Sequence, residues 1–389
     1  NDFNLNIPRY IDSSEPEDLH DLSAHLNGGI PNRDIDALDN YWQVFPTLRP
    51  VLFKANGRKG YSDACVAAPE VKATILLRPE FAEFSKRVLA IFNAWRATHL
   101  PTLRGLKIGA DPKTLIHKLS EALLEGFSKA ALVDNYDVYQ HLMDYWAEVM
   151  QDDIYVIAQD GWLEAAKLRA IVEEKEKKTK ETPDLVINKK KYKADLIPPA
   201  LIVARYFAKE QAAIDELQAT ANTLMQELEA YIEEHSGEEG PLEDAKTDKG
   251  KATKASVKSR LAEIEAIPDS DDELKVLKRC QELLEQETEA DKKVKDAQKA
   301  LDEKVLAQYA KLKEADIKQL AVEDKWLAAI AGQVTAEVER VTQSLAMRIK
   351  TLEERYAEPL PKLTDEMASS SRRVDEHLKR MGLVWSSGA

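Results

Sequence analysis

Seven histidines, two cysteines and three clusters of basic residues are the side chains in this sequence with chemistry to offer. The histidines, His20, His25, His99, His117, His141, His235 and His377, are scattered along the chain. His20 and His25 stand five apart beside several carboxylates, a spacing that suits either a metal ion or one solvated helix face. Cys65 and Cys280 fit no Cys-x-x-Cys pattern and read as packed thiols of a reducing, cytoplasmic setting. No HExxH, GxSxG or GxxxxGK[S/T] run occurs, so the common metallohydrolase, serine-hydrolase and nucleotide-binding signatures are missing. The reading therefore assigns no catalytic, cofactor or metal residue.

The basic clusters bear on anionic partners. Asn188-Lys189-Lys190-Lys191-Tyr192-Lys193 joins charge to an aromatic ring, which suits either a phosphate backbone or a solvated hairpin tip. Arg58 and Lys59, between Gly57 and Gly60, form either an anion-contacting loop or a plain one. Lys86 and Arg87 lie on a helix whose polar face they equally well explain. Arg58, Lys59, Lys86, Arg87, Lys189, Lys190, Lys191 and Lys193 are thus the candidate DNA contacts. The chain as a whole carries 55 Lys+Arg against 69 Asp+Glu, a net charge of −14 that excludes a nucleic-acid-coating surface. From Thr47 to Ala130, however, 14 Lys+Arg face 7 Asp+Glu. That is a basic island in an acidic chain.

The elements that must hold these residues are mostly helices. Charged residues reach 32% and only 14 residues are Gly, a balance of long solvated helices. No run approaches the ~18 apolar residues of a membrane span. Phe3, Leu5 and Ile7 alternate with Asn4 and Asn6 as a short strand. Asn1 opens straight into that run, as a cut through a longer protein would. Phe81, Phe84, Val88, Ile91, Phe92 and Trp95 recur at three- and four-residue spacing, as do Leu115, Leu119, Leu123 and Phe127. Residues 46–62 read as loop, and helix continues to about Thr179. Leu185 to Leu196 reads as a small hairpin.

Phe207, Ile214, Ala221 and Leu228 repeat every seven residues, the condition for a coiled-coil seam. Trp326, Ile330, Val334, Val338, Val341, Leu345, Ile349, Leu352 and Tyr356 form a second long stripe. A long helix out, a turn region and a long helix back are expected to build one antiparallel arm from the two seams, while the stretch Gln286 to Lys293, with no apolar anchor, either frays or stands in solvent. The expected fold is mainly α: a compact helical domain plus a long antiparallel coiled-coil arm, with a short N-terminal strand and a small β-hairpin near 185–196. The segments are 1–35 (tail of a catalytic domain and linker), 36–183 (helical domain), 184–198 (hairpin), 199–358 (arm) and 359–389 (docking helix). In the last, Val374, Leu378, Met381 and Leu383 have no obvious partner in the arm and are the candidate subunit interface.

Four patches carry a resemblance. Asn1-Asp2-Phe3-Asn4-Leu5-Asn6-Ile7-Pro8-Arg9-Tyr10-Ile11-Asp12 resembles the segment just past the catalytic core in modification subunits of type I restriction systems. Tyr192 to Phe207, Val322 to Leu327, and Glu354 to Pro361 with His377-Leu378 and Met381-Gly382 continue it in order. The resemblance implies an adenine-N6 DNA methyltransferase whose S-adenosylmethionine is bound in an upstream domain. It also implies a specificity subunit, a second modification subunit, a restriction subunit and double-stranded DNA as partners, with no membrane. That chemistry needs a Gly-rich turn and an Asn-Pro-Pro-Tyr/Phe motif. Neither is present, and Ile197-Pro198-Pro199-Ala200 shares only the prolines. The competing reading is a coiled-coil scaffold or tether with no link to methylation.

Overall fold

The computed structural model describes residues 19–171, 181–237, 240–247, 250–264 and 271–381. The described residues open with α1 (Leu22–Asn27), β1 (Ile30–Pro31), α2 (Asn32–Asp36), α3 (Asp39–Val44) and α4 (Arg49–Leu52). Strands β2 (Phe53–Ala55) and β3 (Tyr61–Ala64) lead to α5 (Ala68–Leu76), α6 (Pro79–Arg104), α7 (Pro112–Phe127) and α8 (Asn135–Tyr145). A π-helical segment, Trp146–Met150, joins α8 to α9 (Gln151–Asp160), which α10 (Trp162–Ala165) follows. Strands β4 (Arg169–Ala170), β5 (Leu185–Ile187) and β6 (Lys190–Lys193) precede α11 (Pro199–Tyr206), α12 (Ala208–His235), α13 (Lys254–Ile264) and α14 (Asp271–Tyr309). Last come α15 (Glu314–Lys318), a second π segment (Gln319–Leu327), α16 (Ala328–Tyr356) and α17 (Leu360–Arg380).

The fold is mainly helical, with two three-stranded antiparallel sheets ordered β1–β3–β2 and β4–β6–β5. The hairpin read near 185–196 is present, with Leu185 opposite Tyr192 and Ile187 opposite Lys190. β4 adds a strand that the sequence reading took for helix, pairing Arg169 with Lys193. Residues 46–62 are more than loop: β2 and β3 pair around Gly57 and Gly60, whose φ values of 86° and 89° suit only glycine. The Phe3–Ile7 strand lies outside the described residues. Among the described residues no helix is long and apolar enough to cross a membrane.

Two compact units emerge, neither a contiguous stretch of sequence. The first comprises Asn1–Thr98, Lys118–Met143 and Ile330–Ala389. Here the α6 spacing buries Phe84, Val88, Phe92 and Trp95, and the Trp95 indole donates to the Leu119 carbonyl at 3.1 Å. Ile330, Val334, Val338, Val341, Leu345, Ile349, Leu352 and Tyr356 of α16 are all buried, as read from their stripe. Glu337 and Thr342 are buried beside them, so the buried face of α16 is too wide for a two-helix seam. His141 Nε2 meets Glu337 Oε1 at 2.7 Å, and Arg340 pairs with Glu337 at 2.6 Å and with Asp137.

The second unit comprises His99–His117 and Asp144–Ala329. It contains an antiparallel arm, but its partner helix is not the one expected: α12 runs against α14, not α16. Tyr231 donates to the Val276 carbonyl at 3.4 Å towards the tip, and Lys304 meets Glu210 at 3.1 Å towards the base. The expectation fails because α14 buries Leu277, Cys280, Leu283, Leu284, Leu301 and Val305 and crosses the unanchored stretch on Ala290. Phe207 is not a seam residue either. Its φ of −131° and ψ of 27° end α11, so the 199–235 helix is two helices.

Candidate functional site

Among the described residues the buried carboxylate of the second unit is Asp153, which sits 6% exposed one turn past the first π segment. It lies on the same face as Met150, Ile154 and Ile157, all fully buried. A single carboxylate oxygen, Oδ2, accepts from Lys325 Nζ and from Trp326 Nε1, each at 2.7 Å. Both donors come from the second π segment. Pairing i to i+5 lets two neighbouring residues turn toward one acceptor, and such segments recur at functional sites. Lys325 Nζ also donates to the Leu196 carbonyl at 2.7 Å, and the Tyr145 hydroxyl donates to the Lys325 carbonyl at 3.3 Å. Trp326 is fully buried 6.2 Å from the Trp162 ring.

Burial pushes the Asp153 carboxyl above the ordinary carboxylate range, against the pull of the Lys325 ammonium and the Trp326 donor. Burial likewise raises the Tyr145 hydroxyl, with the Asp153 charge adding to it. Asp153 is thereby committed to its two donors, and Lys325 to Asp153 and Leu196. Their arrangement fastens four segments together. Arg205 with Asp324 at 2.6 Å, and Tyr309 donating to the Ile197 carbonyl at 2.6 Å, extend the joint to the base of the arm.

The candidate DNA contacts fall on separate elements. In the first unit Arg58 is spent internally: its guanidinium donates to the Gly28 carbonyl and to Ser23 Oγ at 2.8 Å, and it stacks 4.0 Å over the Tyr61 ring. Lys59 is exposed on the same turn. Lys86 is exposed and meets Glu83 at 3.5 Å, and Arg87 is exposed beside it. In the second unit Lys189 and Lys190 are exposed on the hairpin, whereas Lys191 is half-buried and Lys193 is half-buried against Asp184 at 2.9 Å. His20 and His25 hydrogen-bond each other at 3.0 Å, with rings stacked at 5.3 Å. Among the described residues no group of three or more His, Cys, Asp or Glu gathers as a metal site.

Two local tests follow from these surroundings. Asn188 and Lys189 take left-handed φ values of 51° and 66°, as a two-residue hairpin turn with this twist requires. Lys189→Gly relieves that side-chain clash and is expected to stabilise the chain by about 0.5–1 kcal/mol in denaturant unfolding. Asp21 caps α1, accepting from the Ala24 N–H at 3.0 Å and from the Tyr61 hydroxyl at 3.2 Å. The Ala24 N–H, joined by Tyr61 and Arg33 and opposed by burial, holds its carboxyl below the ordinary range. A lowered native value means stabilisation that is present above the unfolded carboxylate range and lost as pH falls through the native one. Wild type should therefore melt above Asp21→Ala at neutral pH, and the gap should close in acid.

The C-terminal helix α17 differs from every other long helix in burying none of its residues. Met367 is 68% exposed, Val374 57% and Met381 74%, while Leu360 and Leu363 are also exposed and Leu378 is half-buried. Leu383 lies outside the described residues. Leu360, Met367, Val374 and Met381 recur every seven residues, which aligns them along one face. The sequence reading named only the second half of this face, although the repeat itself was there to find.

No family model, no curated protein and no solved structure matches this chain.

Proposed function

We infer that this chain is the non-catalytic C-terminal part of a type I restriction-modification adenine-N6 DNA methyltransferase subunit. Its task is assembly with a specificity subunit and enclosure of DNA, beside a second modification subunit and the restriction subunit. The observation that carries the reading is the α17 face, an apolar heptad row held in solvent on a helix that buries none of its residues. Such a row marks a surface whose partner is another protein.

The patches that carry the resemblance lend support, because residues far apart in sequence meet at one joint. Leu196 and Arg205 of the Tyr192–Phe207 patch touch Lys325 and Asp324 of the Val322–Leu327 patch. The Glu354–Pro361 patch leads directly into α17. The stretch Ile197-Pro198-Pro199-Ala200, which shares the motif's prolines, does not suit a flipped adenine. Ile197 is buried with its carbonyl taken by Tyr309, and Pro198 and Pro199 open α11. Cofactor and target base are assigned to an upstream domain, and no chemical step is routed through this chain.

The α12–α14 arm favours a second reading, a coiled-coil scaffold or tether. An Asn-Pro-Pro-Tyr/Phe motif upstream of Asn1 in the gene separates the two, since a tether has no use for it. The assembly claim itself is tested by retention of the co-expressed specificity subunit on chains altered in α17.

A further inference from the structure

The arm carries an opening that its own helices do not fill. At the tip, Val257, Leu261 and Ile264 of α13 join Leu228, Leu277 and Leu283, so three helices share one core. Below the tip, α12 and α14 alone pair among the described residues. There α12 presents Leu217 and Leu224, seven residues apart and half-exposed. Between Leu284 and Leu301, Ala290 is the one apolar residue of α14 that counts as buried, with Val294 and Ala297 half-buried. A methyl group stands at this seam position, on the floor of an open trough of about 490 Å³ between the two helices.

The walls of the trough are acidic. Glu282, Glu285 and Glu289 line it against Lys293 as the one cation of the lining. Arg279 meets Glu282 at 3.2 Å, Gln281 meets Glu285 at 2.8 Å, and Lys293 reaches Glu289 only at 4.0 Å. From Glu282 to Lys293 the lining spans about three helical turns.

We propose that this trough seats an amphipathic helix of a partner protein, laid against both α12 and α14. Its apolar face packs on Leu217, Leu224 and Ala290, and its flanks bear Lys or Arg against the three glutamates. Charge selects this occupant over a second copy of the chain, whose net charge of −14 opposes approach to an acidic wall. The proposal does not depend on the methyltransferase reading.

The test uses the full chain and two synthetic three-heptad peptides. Both have Leu at the seam positions, one with Lys and the other with Glu everywhere else. Fluorescence anisotropy at physiological salt should show saturable one-to-one binding of the Lys peptide and none of the Glu peptide. Ala290→Leu raises the floor of the trough and should weaken the Lys peptide at least about tenfold. Glu282→Lys/Glu285→Lys/Glu289→Lys, all at exposed positions, should do the same while leaving the helical circular dichroism unchanged. Equal affinity for wild type and Ala290→Leu would reduce the effect to diffuse charge attraction and overturn the proposal. Binding of the Glu peptide, or of neither peptide, would also overturn it. So would self-association of the chain in sedimentation that Ala290→Leu abolishes, because the occupant would then be a second copy.

Discussion

Lys325→Met is expected to cost about 3–5 kcal/mol of unfolding free energy, the usual loss when one member of a buried ion pair is removed. The substitution keeps most of the aliphatic stem but leaves Asp153 buried with only the Trp326 indole as donor. It also strips the Leu196 carbonyl of its Lys325 partner. Asp153→Asn added to Lys325→Met removes the stranded charge while keeping an acceptor for Trp326, so part of the loss should return. The pH dependence has a defined sign. Burial raises the native Asp153 carboxyl, so its unfavourable contribution appears as pH rises through that raised value and is relieved as pH falls. The deficit of Lys325→Met should therefore be larger at neutral pH than in mild acid. Urea unfolding of both variants at two pH values checks this. A single-variant loss within about 0.5 kcal/mol would mean that the joint is not a structural one.

That joint was only half legible beforehand. Asp153 falls in phase with Met150, Ile154 and Ile157, so a charged residue on a core face was readable from spacing alone. Its partners stand 172 and 173 residues away. Nothing local announces them. The α6 and α16 faces were readable because each repeats over many turns. The hairpin was readable because Asn188 interrupts two short apolar and basic runs.

The arm's pairing was misread for a physical reason. α16 has the stronger stripe, yet breadth of stripe signals burial among several neighbours, whereas a two-helix seam is narrow. α14 looked unanchored between Gln286 and Lys293, and Ala290 suffices to carry the helix across. The break at Phe207 had no Gly or Pro to mark it. Arg58 stood out as a basic loop residue, and its contacts with Gly28, Ser23 and Tyr61 lie across a turn that the sequence did not reveal.

The α17 face was visible as an unpartnered row, and its consequences are the largest for function. Met367 and Val374 lie seven residues apart near its middle, both mostly exposed. Met367→Asp with Val374→Asp puts two carboxylates into any helix interface formed there. Desolvating them unpaired should weaken partner binding at least about a hundredfold, through faster dissociation. Because α17 buries none of its residues, the thermal midpoint of the isolated chain should hardly move. The decisive measurement is titration of the specificity subunit against wild type and this double variant, with both midpoints recorded alongside. Binding lost at an unchanged midpoint is the predicted result. Equal affinity for the two chains would contradict the assembly role assigned to this helix.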